Sequence, residues 1–228
     1  MLDFQYMVKI FPRLMEKIPL SFLVVVIAGF FSLVLAAGVA FVRIKRVPVL
    51  KQLASLYVSF MRSTPGILHI FIVYYGLPLL VQTFFGIDIR RGDKLLFSLL
   101  ALILYNGAFV SEILRPGYLA VPQGQKEAAL AIGLSPLQAN LRILFPQMIP
   151  IVLPSLGNAA IDLLKDTSLL YLIGMTDIMG LAENLISLSY GTKQLEVYFL
   201  VGLLFWGMST LISLCFAGLE KLATRHLV

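Results

Sequence analysis

The chain has 228 residues, of which 59% are hydrophobic and only 13% are charged, and its mean hydropathy is +0.92. The single core of a soluble domain of this length cannot bury so much apolar surface, so the composition excludes an ordinary soluble protein. The net charge is +6, but the charged residues flank apolar stretches and form no dense basic run with exposed aromatic residues. This pattern argues against a nucleic-acid partner and favours a lipid bilayer.

Five apolar runs are long enough to cross the bilayer as helices, because roughly 20 residues cover roughly 30 Å of hydrocarbon. Residues 1–19 precede them and are predicted to be extracytoplasmic or interfacial. The first run continues directly into Arg43 without a cleavage site of small residues, so it is not a cleavable signal peptide. We predict an all-α membrane domain over residues 20–222, with spans at 20–42, 51–85, 95–114, 141–165 and 197–219.

Two regions interrupt this pattern. Thr64-Pro65-Gly66 breaks the second predicted span. The segment Ser168–Ser189 is apolar but contains Gly174, Asp177, Gly180 and Glu183. Irregular backbone at membrane depth needs cover from protein or a watery cavity, so we interpret 168–189 as a re-entrant or interfacial segment before the last span, with a sixth span as the alternative.

The orientation follows from the lysine and arginine bias, which is small here. The side favoured as cytoplasmic carries Arg43, Lys45, Arg46, Lys51, Arg115, Lys126, Arg142, Lys221 and Arg225. The opposite side carries Lys9, Arg13, Lys17, Arg90, Arg91, Lys94 and Lys193. We therefore expect the amino terminus outside and the carboxyl terminus, with a tail at 223–228, in the cytoplasm.

A moderately polar stretch of helix-forming residues joins the third and fourth spans. We predict a short surface helix at about residues 124–136, in which Glu127-Ala128-Ala129 and Gly133 let another protein approach closely. With Ile143 and Pro146, this spacing resembles the EAA loop of ABC importer permeases, the type I transmembrane domains. Phe145 departs from the leucine usual in that family.

Further segments, in the correct order, resemble the polar amino acid branch of that family, and are similar to cystine-, histidine- and glutamine-type permeases. They are Arg62-Ser63-Thr64-Pro65, Tyr74-Tyr75-Gly76, the run from Tyr105 to Ile113, and Lys165-Asp166-Thr167-Ser168-Leu169. The branch commonly has small residues after the arginine at position 115, whereas Pro116 follows here, so we expect the helix to end or kink there.

The resemblance implies a coupling helix that sits in a cleft of a cytoplasmic ATP-binding subunit. The contact would be made by Glu127, Ala128, Ala129, Gly133 and Pro146. The alternative for Glu127 is that it only caps or solvates a loop helix. The sequence contains no Gly-Lys dipeptide and so no phosphate-binding loop of the Gly-Lys-Ser/Thr type. We therefore expect this chain to bind no cofactor and to be no enzyme, with ATP and Mg²⁺ bound by a separate subunit.

The resemblance also implies the rest of an importer in a bacterial cell membrane. The expected partners are a dimer of ATP-binding subunits, a second identical or homologous permease copy, an extracytoplasmic solute-binding protein and a polar amino acid substrate, with cystine or a related amino acid favoured.

Polar residues within the spans are the candidates for a solute pathway or gate, because an ionisable group there costs about 3 kcal/mol or more to insert. They are Arg62, Thr64, Asn106, Glu112, Asp162, Lys165, Asp166 and Thr167. Asp162, Lys165 and Asp166 share one helical face, and the sequence favours a solute site and a structural ion pair equally. Arg62 and Glu112 have structural alternatives: Arg62 snorkels or makes a structural contact, and Glu112 pairs with Arg115.

Other functions fit the sequence less well. An ion-coupled secondary transporter of a small polar solute is the main alternative, but no internal repeat is evident. An intramembrane hydrolase would need a nucleophile motif that Gly207-Met208-Ser209-Thr210 does not complete. His69 and His226 are too isolated to suggest a metal site, and we predict no catalytic residue.

Overall fold

The computed structural model describes residues 2–224, so Arg225, His226 and most of the predicted tail lie outside the described residues. Helices account for nearly all of the regular structure, and no strand occurs between residues 2 and 224. The α-helices are α1 (Phe4–Met15), α2 (Ile18–Lys45), α3 (Leu50–Ser63), α4 (Gly66–Phe71), α5 (Leu77–Phe85), α6 (Lys94–Ala120), α7 (Gln123–Ala131), α8 (Pro136–Ala139), α9 (Phe145–Thr167), α10 (Ile178–Leu188) and α11 (Gln194–Thr224).

Five helical stretches of the described chain are long and apolar enough to cross a membrane, which confirms the predicted number. They are Phe4–Lys45, Gly66–Phe85, Lys94–Ala120, Pro136–Ile173 and Gln194–Thr224. The segment 168–189 folds into a 3₁₀-helix (Ser168–Ile173) and α10. At 11 residues, or about 17 Å, α10 is too short to span, so the sixth-span alternative is wrong.

The helical stretches are mostly longer than the predicted spans, and two boundaries contradict the sequence pattern from which they were inferred. The second span begins at Gly66 and not at Lys51, because Thr64 and Pro65 are extended and separate α3 as a helix of its own. Fourteen residues give α3 a length of about 21 Å, too short to span. Helix α6 does not end at Pro116 but continues to Ala120. A proline removes one backbone hydrogen-bond donor. The helix tolerates this loss at Pro116 and continues for four more residues, because the position is close to its end.

Two π-helical turns interrupt the membrane helices, at Ile72–Gly76 and Asn140–Leu144. Each is followed two residues later by a proline, Pro78 or Pro146. Because proline cannot donate to the carbonyl four residues earlier and its ring crowds that carbonyl, the preceding turn widens. The second of these turns joins the loop after α8 to α9.

Helix α6 is the centre of the fold and packs against α2, α9, α3 and α4. Small buried residues allow α2 and α6 to approach closely, as is usual for membrane helices. They are Ala28, Ser32, Ala36 and Ala40 on α2 and Gly107, Ala108 and Ser111 on α6. A Cβ at Gly107 would lie 2.9 Å from Leu35 Cδ2, so a larger residue there would displace the Leu35 side chain. The side chains of α6 that face α9 consequently lie at the middle of the molecule.

Candidate functional site

A cleft of about 590 Å³ lies between α6 and α9, and Arg62 in the last turn of α3 also lines it. Its lining residues are Arg62, Tyr105, Asn106, Phe109, Glu112, Ile113, Ser155, Asn158, Ala159, Asp162, Lys165 and Asp166. Six of the eight predicted pathway residues therefore meet in one place, although they come from three helices. Polar groups of both charges thus share a single cleft.

The α9 side of the cleft carries an open ion pair. Lys165 Nζ lies 3.1 Å from Asp162 Oδ1, one helical turn away, and the two side chains are 61% and 70% exposed. This is the local salt bridge that the spacing of the three α9 residues allows. Asp166 lines the same wall and forms no salt bridge within residues 2–224. The α9 side therefore presents a carboxylate that is free to accept hydrogen bonds.

The other end of the cleft is built around Glu112. Arg43 donates a hydrogen bond to Glu112 Oε1, and Arg115 NH2 lies 3.3 Å from Glu112 Oε2. Arg62 NH1 lies 4.0 Å from the same Oε2, so three arginines surround one carboxylate. The pairing of Glu112 with Arg115 is thus present. The cluster joins α2, α3 and α6.

Arg62 is the most exposed member of this cluster, with 48% of its side chain accessible. Its guanidinium also lies over the ring of Phe109, with its central carbon 5.9 Å from the centroid. Arg62 therefore makes the structural contact that the sequence favoured, while part of the guanidinium still faces the cleft.

Two predicted pathway residues do not line the cleft. The Thr167 hydroxyl is buried and donates to the carbonyl oxygen of Leu164 at 2.7 Å. Thr64 donates to the carbonyl oxygen of Phe60 at 2.8 Å and contacts His69 at 2.7 Å. Both hydroxyls satisfy local backbone or side-chain partners at helix ends.

Three cleft residues were not predicted from the sequence, namely Tyr105, Ser155 and Asn158, and neither was Arg43 as a partner of Glu112. Ser155 and Asn158 precede Asp162 by seven and four residues. The helical period that places Asp162 and Asp166 on one face places these two residues on it as well, so the sequence could have indicated them. The Arg43–Glu112 pair joins residues 69 apart in sequence, and no local pattern indicates it.

The loop between α6 and α9 forms a helical knob, which we define as α7, the turn after it and α8. Glu127 and Ala128 are exposed on α7, whereas Ala129 is buried at 3% exposure. Glu127 Oε1 accepts a hydrogen bond from Gln123 Nε2 at 2.8 Å. The predicted helix at 124–136 is in fact two helices, because Gly133 has a φ of +87° and turns the chain between them. Ala129 therefore faces the chain's own interior.

The knob exposes a patch of apolar side chains beside Ala128. Ile132 is 77% exposed and Leu137 is 67% exposed, and Leu130 is partly exposed as well. Ser135 and Gln138 form a capping box that begins α8 and holds Leu137 outward. Pro146 is also exposed, in the first turn of α9. Such a patch in a polar loop is typical of a surface that another protein covers.

Comparisons with known proteins agree with this architecture. Residues 28–225 match the protein family described as binding-protein-dependent transport system inner membrane component. The L-cystine transport system permease protein TcyL of Bacillus subtilis is 37% identical to this chain, over 92% of this chain and 87% of its own length. The octopine transport system permease protein OccM of Rhizobium radiobacter is 36% identical, over 92% and 85% respectively.

Solved structures share the fold. A chain in the crystal structure of an amino acid ABC transporter with histidines aligns with a TM-score of 0.82 at 27% identity, covering 97% of this chain and 99% of that one. A chain of the inward-facing MetNI methionine ABC transporter has a TM-score of 0.72 at 20% identity, which supports the fold alone. On these matches, which extend over most of the sequence, the chain belongs to the family of binding-protein-dependent transport system inner membrane components.

Proposed function

We propose that this chain is the permease subunit of an ABC importer that carries a polar amino acid across the bacterial cell membrane, with cystine or a related amino acid as the solute. Family membership supports the permease role, and the names of relatives that transport cystine, octopine, arginine and glutamine support the amino acid class. The 37% identity with the cystine permease TcyL favours cystine within that class.

One observation carries the amino acid assignment: the cleft has opposite charges at its two ends. A free amino acid has a carboxylate and an ammonium group at neutral pH, and each needs a partner once water is removed. Arg62 offers a partly exposed guanidinium at one end, and Asp166 offers an unpaired carboxylate on the α9 wall. Such an arrangement suits a zwitterion better than a sugar or a simple ion.

We infer that the energy for transport comes from a separate ATP-binding subunit that binds the knob. In this arrangement two permease copies pair, and the two knobs meet two ATP-binding subunits in the cytoplasm. ATP and Mg²⁺ then belong to the partner, and a solute-binding protein delivers the amino acid from outside. The amino terminus is outside, and the carboxyl terminus is in the cytoplasm.

The mechanism that follows is a change of access driven from the knob. Closure of the ATP-binding subunits moves the knob, and α7 and α8 transmit this movement to α6 and α9, which they connect. Since α6 and α9 are also the walls of the cleft, the same movement opens or closes the cleft. The permease contributes the binding cleft and the switch, and the partner contributes the chemistry.

The coupling role is tested at Ala128. Gly133 is unsuitable, because its φ of +87° makes any larger residue strain the backbone whether or not a partner is present. Ala128 is exposed on a regular helix, so Ala128→Trp fits the isolated chain and collides only with a covering protein. We expect Ala128→Trp to reduce uptake by about a hundredfold, as for the loss of an interface hot spot, and Ala128→Ser to leave it unchanged. Normal uptake by the tryptophan variant would contradict the coupling role.

The solute is tested by reconstituting the chain with its ATP-binding subunit and solute-binding protein in proteoliposomes. The measurement is ATP hydrolysis in the presence of L-cystine, L-glutamine, L-arginine or L-histidine. We expect L-cystine to stimulate hydrolysis most. Stimulation by a different amino acid would replace cystine but keep the amino acid class, whereas stimulation by none of them would contradict the proposed function.

A further inference from the structure

A buried histidine lies beside the cleft and belongs to neither charge cluster. His69, on α4, is 2% exposed, and its Nε2 lies 2.7 Å from Thr64 Oγ1. The Thr64 hydroxyl donates its one hydrogen to the carbonyl oxygen of Phe60 at 2.8 Å. The His69 ring must therefore donate to Oγ1, which assigns a hydrogen to Nε2. This contact fixes the ring to the break between α3 and α4.

The His69 ring also packs against two aromatic rings. The ring of Phe60, on α3, meets it edge to face, with the centroids 5.4 Å apart and the planes at 80°. The ring of Tyr105, on α6, meets it in a tilted arrangement, with centroids 5.2 Å apart and planes at 35°. Both distances are in the range where aromatic pairs attract. His69 thus connects the break to a residue of the cleft wall.

Tyr105 is held on a further side by Gly66. A Cβ at position 66 would lie 3.1 Å from both Cε1 and Cζ of Tyr105, which is closer than a side chain comfortably tolerates. The ring of Phe109, one turn along α6, lies 5.0 Å away, centroid to centroid. Tyr105 is therefore enclosed by His69, Gly66 and Phe109, and its remaining surface lines the cleft.

We propose that Tyr105 is a specificity-determining residue of the cleft and that His69 and Gly66 are positioning residues that set its ring. The proposal rests on the proposed function, since it takes an amino acid as the occupant of the cleft. The ring lines the same cleft as Arg62 and Asp166, so its position sets the width available to the solute's side chain between the two charged ends. Moving the ring changes which amino acids fit.

The test compares His69 variants with and without Tyr105. Equilibrium binding of radiolabelled L-cystine, L-glutamine and L-arginine is measured on the solubilised complex of permease and ATP-binding subunit. The solute-binding protein is omitted so that its own selectivity does not mask the result. We expect His69→Leu to weaken binding of the preferred amino acid about tenfold, which is a typical coupling for residues in contact. His69→Gln, which keeps an N–H donor, is expected to restore binding to within about threefold of the wild type.

The decisive measurement is made on the double variant that combines His69→Leu with Tyr105→Ala. If His69 acts through Tyr105, then His69→Leu has no further effect in a Tyr105→Ala background, and Tyr105→Ala itself admits larger amino acids than the wild type does. An equal loss from His69→Leu in both backgrounds would mean a merely structural role and would overturn the proposal. Unchanged affinities in Tyr105→Ala would overturn it as well.

Two arrangements keep the test conclusive. If His69→Leu does not fold, Gly66→Ala displaces the Tyr105 ring from the other side, and its effect is likewise expected to vanish with Tyr105→Ala. The wild-type complex separates the two proposals. Amino acid binding by the wild type with no change in Tyr105→Ala rejects only the role of Tyr105, whereas no binding of any of the three amino acids by the wild type rejects the proposed function and this inference together.

Discussion

The two charged ends of the cleft differ in how far their charges are already paired. At the Glu112 end, one carboxylate that is 18% exposed is shared by three arginines from three helices. At the α9 end, the Asp162–Lys165 pair lies within one helical turn, its side chains are 70% and 61% exposed, and Asp166 beside it has no salt bridge within the described chain.

This difference separates a structural tie from a binding surface. Removing one partner of a partly buried ion cluster leaves the others charged and poorly solvated, which is costly. An exposed pair contributes little to stability, since water and salt screen it. The Glu112 end therefore holds α2, α3 and α6 together, and the α9 end is available to a ligand. A substitution at the Glu112 end should mainly lower stability, whereas a substitution at the α9 end should mainly change ligand binding.

The largest effect on stability is expected for Glu112→Ala. Without this carboxylate, Arg43, Arg62 and Arg115 repel one another in a poorly solvated place, and the fold should lose about 3 kcal/mol. Thermal unfolding in detergent, followed by the fraction that remains monodisperse, measures the loss. The matched control is Asp162→Ala at the other end. Equal melting temperatures for the two variants would break the comparison between the ends.

The largest effect on binding is expected for Asp166→Asn. This change keeps the shape of the side chain but removes the unpaired negative charge that we assign to the solute's ammonium group. We expect the Kd for the transported amino acid to rise about tenfold, the equivalent of about 1.4 kcal/mol, with an unchanged melting temperature. A lower melting temperature with an unchanged Kd would make Asp166 structural instead.

A smaller effect is expected for Lys165→Gln. Because both Lys165 and Asp162 are largely exposed, breaking their pair should change the free energy of unfolding by less than about 1 kcal/mol. Rising salt should weaken the pair in the wild type, so the free energies of unfolding of the wild type and the variant should become more alike. Denaturant unfolding at low and high salt measures this. A loss comparable to that of Glu112→Ala would refute the assignment of the α9 end as an open surface.

The smallest effect is expected at a half-buried pair that does not line the cleft. Lys193 Nζ donates to Asp3 Oδ2 at 2.6 Å and joins α1 to the start of α11. This hydrogen bond lowers the pKa of the Asp3 carboxyl below its ordinary value. A lowered carboxyl pKa stabilises the fold fully above the unfolded pKa of about 3.9, and the contribution is lost as the pH falls from there through the lower pKa of the folded state.

Hydrogen exchange of the α1 amides tests this pair with the variant Asp3→Asn. We expect the variant to exchange slightly faster than the wild type at pH 7, and the difference to shrink as the pH is lowered below about 3.9, after correction for the intrinsic rate. A difference that does not shrink at low pH would show that the Asp3 charge does not hold α1.

The sequence predicted the number of spans and six of the eight pathway residues in the cleft, because apolar run length and the cost of burying charge are both local properties. It did not predict that α3 is a helix separate from the second span. Thr64-Pro65-Gly66 indicates a break in the helix, but it does not indicate which side of the break lies in the membrane. It also missed the partners Arg43 and His69. Their contacts depend on how helices pack across tens of residues, and neither residue stands out in its own segment.

For the knob too, the sequence indicated the position of a helix but not the orientation of its residues. The spacing of Glu127, Ala128 and Gly133 located a helical surface, but it could not tell that Ala129 faces inward or that Gly133 serves a turn. Both facts depend on how α7 packs against α8 and the π-helical turn after it, which the spacing of residues does not reveal. The residues left outside are therefore the ones to test.

In the proposed mechanism, this chain moves an amino acid only when a separate subunit hydrolyses ATP, and this dependence can be measured. It is tested most directly by uptake of radiolabelled L-cystine into proteoliposomes that contain the permease, its ATP-binding subunit and the solute-binding protein, with an ionophore collapsing the proton gradient. We predict uptake that continues with the ionophore and stops when ATP is withheld or the ATP-binding subunit is omitted. Accumulation by the permease alone, or uptake abolished by the ionophore while ATP is present, would contradict the account.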